Sequence, residues 1–107
     1  MIKNVLICRQ AFVLFDTLED YFTRHAKGLD CTTHEDYVRN AVDFFESPRG
    51  KNGVAYVRKD GTVCRYDYET KHLVIVSKKG IIETNWNLGY DMSPEKADNY
   101  WEKKVKK

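Results

Sequence analysis

The sequence predicts an α+β domain, with two N-terminal helices packed on a four-stranded antiparallel meander and a short C-terminal helix. Apolar residues recur at three- and four-residue steps through Phe45, alternate in strand fashion from Val54, and return to helical spacing after Ser93-Pro94. Gly-containing turns at Asp60-Gly61 and Lys78-Lys79-Gly80 separate the strand-like runs. At 107 residues the chain can bury one core but not two, so residues 1–107 read as a single domain.

Residues 3–8 fit either a short strand or the start of a helix. From Gln10 the pattern is helical: Ala11, Phe15, Leu18 and Phe22 form a stripe, with Asp16, Glu19 and Asp20 off it. His25 continues that line, and Gly28 supplies a stop that places His25 in the last turn. A second helix follows, with Thr33 as N-cap and Asp36 in the capping-box position. Tyr37, Val38, Ala41, Val42 and Phe45 make its apolar face, and Ser47-Pro48-Arg49-Gly50 ends it.

Strands at residues 54–59 and 62–68 flank Asp60-Gly61, a two-residue hairpin signal. Glu69-Thr70 turns the chain into residues 73–77, and the Lys-Lys-Gly turn leads into 81–88. In that last strand, two-residue alternation puts Ile82, Thr84, Trp86 and Leu88 on one face, which the upstream helices would cover. A three-residue loop at Lys78–Gly80 sets Val74 and His72 opposite Thr84 and Trp86. A two-residue loop sets Ile75 and Leu73 there, and the sequence is compatible with both. Ser93 caps the terminal helix, Pro94 opens it, and Ala97, Tyr100 and Trp101 point inward.

Composition excludes several classes. A hydrophobic content of 42% and an aromatic content of 13% argue against a disordered tail. The net charge of +2 does not by itself imply nucleic-acid binding. The charge is concentrated, however, at Lys78-Lys79 and at Lys103, Lys104, Lys106 and Lys107. Cys8, Cys31 and Cys64 lack CxxC spacing and leave one thiol unpaired under any bridging scheme. That points to a reducing compartment, with a cytoplasmic site of action, and away from a zinc site. Arg9 and Gln10 split the apolar start of the chain, no small-residue cleavage site follows, and no run reaches membrane-spanning length. No membrane association is expected. There is no HExxH, Gly-rich phosphate loop, GxSxG or zinc-deaminase pattern, so neither metal nor cofactor is expected. Cys31 lies between His25 and His34, but nothing in the spacing favours a Cys–His nucleophile over a small buried thiol.

The remaining polar candidates each have a structural reading, as a core histidine, an ordinary strand threonine and a tryptophan that plugs the core, and together they fit one chemistry. Metal-free RNA cleavage needs a base for the 2′-hydroxyl proton, cations for the charged phosphorane, a hydrogen-bonding group on the phosphate and a flat surface for a nucleobase. His25, then Arg24 or Lys27, then Thr84, then Trp86 supply these in order. Arg65, Lys71 and His72, on or beside the neighbouring strands, are further candidate substrate contacts. The dipole of the last helical turn favours the imidazolium of His25, while Arg24, Lys27 and partial burial favour the neutral ring that a base requires.

Two motifs then carry a resemblance. F-x-x-H-A-K over residues 22–27, followed by T-x-x-D-Y-V-R-N-A over 33–41, is similar to the helical half of polymorphic bacterial toxins. DGTVCRYDYETKHLVIVSKKGIIETNW over 60–86 resembles their strand half. These are the barnase–EndoU–colicin–RelE-like ribonucleases, and the pattern is most similar to the colicin D-type anticodon nuclease domain. The resemblance covers about residues 15–101. It implies a helix-borne catalytic histidine, here His25 preceded by Arg24. It also implies a Ser-x-Trp on a late strand, here Thr84-Asn85-Trp86.

The sequence departs from the family where Phe22 replaces a second lysine, leaving Lys27 or Arg65 to hold the phosphate. Thr84 in place of Ser keeps the hydroxyl but stiffens its rotamer. The resemblance further implies tRNA as substrate, a 2′,3′-cyclic phosphate product and a cognate immunity or antitoxin protein as partner. Toxins of this class usually close a large delivery protein. This chain begins with Met, which leaves a stand-alone effector, a phage-borne copy or a portion of a longer protein open. The rival reading is a non-catalytic module that docks RNA or a protein through the basic hairpin and the C-terminal tail.

Overall fold

The computed structural model describes residues 22–47 and 52–106. The expectations for residues 3–8 and 48–50, for Cys8 and for the stripe residues Ala11, Phe15 and Leu18 lie outside these. The described chain opens with a helical turn at 22–25 and a 3-10 turn at Lys27–Leu29, then α1 (His34–Glu46). Four strands follow: β1 (Gly53–Val57), β2 (Val63–Asp67), β3 (His72–Val76) and β4 (Ile82–Asn87). They pair antiparallel in the order β1-β2-β3-β4, a simple meander. The chain closes with α2 (Leu88–Asp91), α3 (Pro94–Tyr100) and a π-helical turn at Trp101–Val105.

Helix starts follow local chemistry. The Thr33 hydroxyl accepts from the Asp36 backbone N–H at 3.0 Å, and the Ser93 hydroxyl accepts from that of Lys96 at 3.3 Å. Tyr37, Val38, Ala41 and Val42 are the buried face of α1, with Phe45 partly buried beside them. The stop after His25 differs from expectation. Asp30, not Gly28, takes the left-handed conformation, at φ 58°, and its N–H returns to the Lys27 carbonyl.

Both outer hairpins close through three residues. Arg58 N–H bonds the Thr62 carbonyl at 2.8 Å, and Ser77 N–H bonds that of Ile81 at 2.8 Å. The third loop residue, Gly61 or Gly80, sits at φ 92° or 89°, which glycine tolerates without steric cost. Asp60-Gly61 therefore belongs to a three-residue loop, Lys59-Asp60-Gly61, rather than a two-residue one.

A β-bulge then decides which side chains share a face. Val76 pairs with Ile82, but Ile75 pairs with Thr84, so Glu83 is the extra residue of β4. Leu73 consequently faces Trp86, and His72 faces Asn87. The loop thus follows one of the two registers open to the sequence, and the strand beyond the bulge follows the other. Ile82 is moved to the opposite face from Thr84 and Trp86, against simple alternation. Leu88 leaves the sheet as the first residue of α2.

The sheet is sandwiched. On one face Ala41 of α1 packs with Val74 and Val76, and partly buried Phe44, Phe45 and Ile82 join them. On the other face Cys64, Tyr66, Leu73 and Ile75 pack with Leu88, Ala97, Trp101 and Val105. The face of Trp86 is therefore covered by the C-terminal helices and, at its edge, by the turn that carries His25, while α1, expected on this face, packs on the other. The terminal layer is also larger than one short helix. β3 is buried along all five residues because it is covered on both sides. Among the described residues, no helix is long and apolar enough to cross a membrane.

Candidate functional site

β4 is an edge strand, and the segment around His25 runs beside it. The Asn87 side-chain amide donates to the Gly28 carbonyl at 3.1 Å, tying the 3-10 turn to the end of β4. Tyr90 of α2 lies against Gly28 so closely that a Cβ there would stand 2.9 Å from the Tyr90 ring carbon Cγ. Gly28 is thus needed for this contact rather than for a helix stop.

These ties bring His25 onto Trp86. The ring centroids are 4.9 Å apart with a 30° tilt, and both side chains are half-buried. The indole N–H donates to the Asp91 carboxylate at 2.5 Å, which fixes the ring plane. Tyr100 meets the indole edge-on at 5.4 Å and 77°. Thr84 is half-buried on the same sheet face, paired with Ile75. Arg24 and Lys27, either side of His25, are exposed. His25, Trp86 and Thr84 therefore share one edge of the sheet, with two cationic side chains beside the histidine.

The other sequence candidates lie elsewhere. His72 is 9% exposed and sits under α1 on the opposite face from Trp86. Its Nε2 is 2.6 Å from Asn85 Oδ1, and its ring lies 4.1 Å from that of Phe44. The Asn85 amide nitrogen donates to the Tyr37 carbonyl and to Asn40 Oδ1, so its Oδ1 is left to accept and His72 Nε2 carries the hydrogen. Burial pushes the His72 pKa down, opposed by the Asn85 hydrogen bond and the Asp67 charge. Arg65, also on the α1 face, donates to the carbonyls of Phe45 and Ser47 and so caps the end of α1. Lys71 is held by Asp98 at 3.0 Å, whose same oxygen accepts from the Tyr66 hydroxyl at 2.8 Å. Burial, and then that carboxylate, push the Tyr66 pKa up.

Asp91 and Tyr100 are the site residues that sequence reasoning missed. The helical spacing of Tyr100 marked it as inward-facing, but its contact with Trp86 depends on where α3 docks. Nothing near Asp91 in sequence distinguishes it from a surface carboxylate. The Cys31 thiol donates weakly to the Leu29 carbonyl, and burial, Asp36 and Asp30 push its pKa up, away from nucleophilic use. Among the described residues, no three His, Cys, Asp or Glu side chains are grouped so as to hold a metal ion. No protein-family model and no curated protein matches the sequence.

Proposed function

We propose that this chain is a metal-independent endoribonuclease of the barnase–EndoU–colicin–RelE-like type, acting on tRNA. The observation that carries the reading is the contact of a helix-borne histidine with a strand-borne tryptophan at an accessible sheet edge. Trp86 offers a flat face on which a base can stack, and Asp91 keeps that face oriented. His25, beside it, takes the proton of the 2′-hydroxyl as the 2′-oxygen attacks the adjacent phosphorus. The phosphorane charge falls near Arg24 or Lys27, and the Thr84 hydroxyl donates to a phosphate oxygen. The 5′-oxygen departs and takes a proton from solvent, leaving a 2′,3′-cyclic phosphate. A host making such an enzyme requires an inhibitory immunity protein, whose acidic side chains would mimic RNA phosphates.

The test is direct. Purified chain mixed with total tRNA in EDTA should give discrete fragments ending in 2′,3′-cyclic phosphate. Sequencing RNA ends after brief induction in cells would identify the bond. His25→Ala should lower the rate by about 100-fold or more, the usual worth of a positioned base, with an unchanged thermal midpoint. Absence of cleavage on every RNA tried would leave the rival binding module. Complete loss of activity in EDTA would overturn the metal-free mechanism.

A further inference from the structure

The terminal helix carries a second feature beside the Trp86 cluster. Ala97, Trp101 and Val105 recur at four-residue steps and are buried in the core. Residues 96, 99, 100, 103 and 104 follow the complementary helical spacing. With Met92, they line an open groove of about 310 Å³. Its lining includes the half-buried Met92 and Tyr100 and the exposed Lys96, Lys103 and Lys104.

The charge of this groove is not neutralised by its own helix. Asp98 is turned away to Lys71 and Tyr66, and Glu102 to Tyr68 and Lys106. Among the described residues, Lys96, Lys103 and Lys104 have no carboxylate within ion-pair distance. Tyr100 belongs both to this groove and to the Trp86 cluster, so the two surfaces are continuous.

We propose that the groove formed by Met92, Lys96, Asn99, Tyr100, Lys103 and Lys104 binds the single-stranded RNA flanking the cleaved bond, with lysines on phosphates and the Tyr100 ring under a base. A cationic rim around an aromatic floor is the combination single-stranded nucleic acid requires. This rests on the RNA reading above, but not on catalysis.

The experiment uses the full chain carrying His25→Ala, so that binding is read without cleavage, and a fluorescein-labelled RNA oligonucleotide as probe. Lys96, Lys103 and Lys104 all changed to Gln should weaken binding tenfold or more at low salt. The slope of log Kd against log salt should fall by about two, since each phosphate contact on a single strand contributes about 0.7. Tyr100→Leu should weaken binding by roughly tenfold with the salt slope unchanged, because stacking releases no counterions. Lys78 and Lys79 changed to Gln provide the control. Their turn lies at the far end of β4, roughly 16 Å from Trp86 at about 3.3 Å per residue, and binding should not change.

A triple variant that keeps wild-type affinity and slope overturns the groove. So does a binding loss confined to the Lys78/Lys79 variant, or a parent chain that binds no RNA. A chain that binds through the groove yet cuts nothing keeps this proposal and removes the ribonuclease reading. Cleavage by wild type combined with groove-neutral binding does the reverse.

Discussion

Two histidines of this molecule stand in opposite surroundings, one half-buried at the sheet edge and one buried under α1. His25 lies on Trp86 at the sheet edge, whereas His72 is 9% exposed and donates Nε2–H to Asn85. A charged ring in the His72 site would be desolvated, so its folded-state pKa is lowered. The unfolded chain, with an ordinary value near 6.5, then binds the proton first as pH falls. His72 therefore contributes stability that is fully present above about pH 6.5 and is lost as pH drops toward the lower folded value. Urea unfolding at pH 7.5 and 5.5 should show a loss in wild type that His72→Gln reduces. An equal loss in both proteins would remove His72 from this role. The sequence could not reveal this burial. His72 meets Asn85 only because of a bulge at Glu83, eleven residues away, and from the sequence it reads as a substrate contact.

At the scale of elements, what was legible is what local chemistry decides. The cap residues Thr33 and Ser93 and the Gly61 and Gly80 turns act through neighbours a few residues away. The bulge at Glu83 does not: nothing in Ile-Ile-Glu-Thr-Asn-Trp marks it, yet it reverses the face of Ile82 and sets Leu73 opposite Trp86. Gly28 was legible as special but for the wrong reason, since its constraint is the Tyr90 ring rather than a helix stop. That yields a prediction for the 3-10 turn. The added methyl of Gly28→Ala would sit 2.9 Å from Tyr90 Cγ, near the stem of the ring, so the turn or α2 must shift. The turn carries Lys27 and adjoins His25, while α2 carries Asp91, so either shift disturbs the His25–Trp86 pair. RNA cleavage should fall at least tenfold, because misplacement by about 1 Å can cost about 100-fold. The thermal midpoint should fall only slightly. Tyr90→Ala in the same chain should restore activity by vacating the space, and failure of that rescue would count against the contact.

On the scale of the whole molecule, the layers cannot be independent, because they share β3. Leu73 and Ile75 belong to the cluster under the terminal helices, and Val74 and Val76 to the cluster under α1. Stripping either layer exposes alternate residues of a strand that is otherwise buried throughout. Trp101 is the test residue, being 1% exposed and stacked on Tyr66 at 5.2 Å and 15°. Trp101→Ala removes that contact and leaves a cavity, at a cost of about 3–5 kcal/mol. Against a typical domain stability of about 5–15 kcal/mol, much of the margin would be gone. Two outcomes can be separated in urea. If the terminal layer detaches while α1 and the sheet persist, the native state already exposes surface. The dependence on denaturant then shallows, and Trp86 fluorescence changes before far-ultraviolet circular dichroism. If the layers form one cooperative unit, the midpoint falls with the slope unchanged and both probes coincide. The shared burial of β3 predicts the second outcome. It further predicts that RNA cleavage by the variant tracks the folded fraction across the transition, because the His25–Trp86 edge survives only while both layers do.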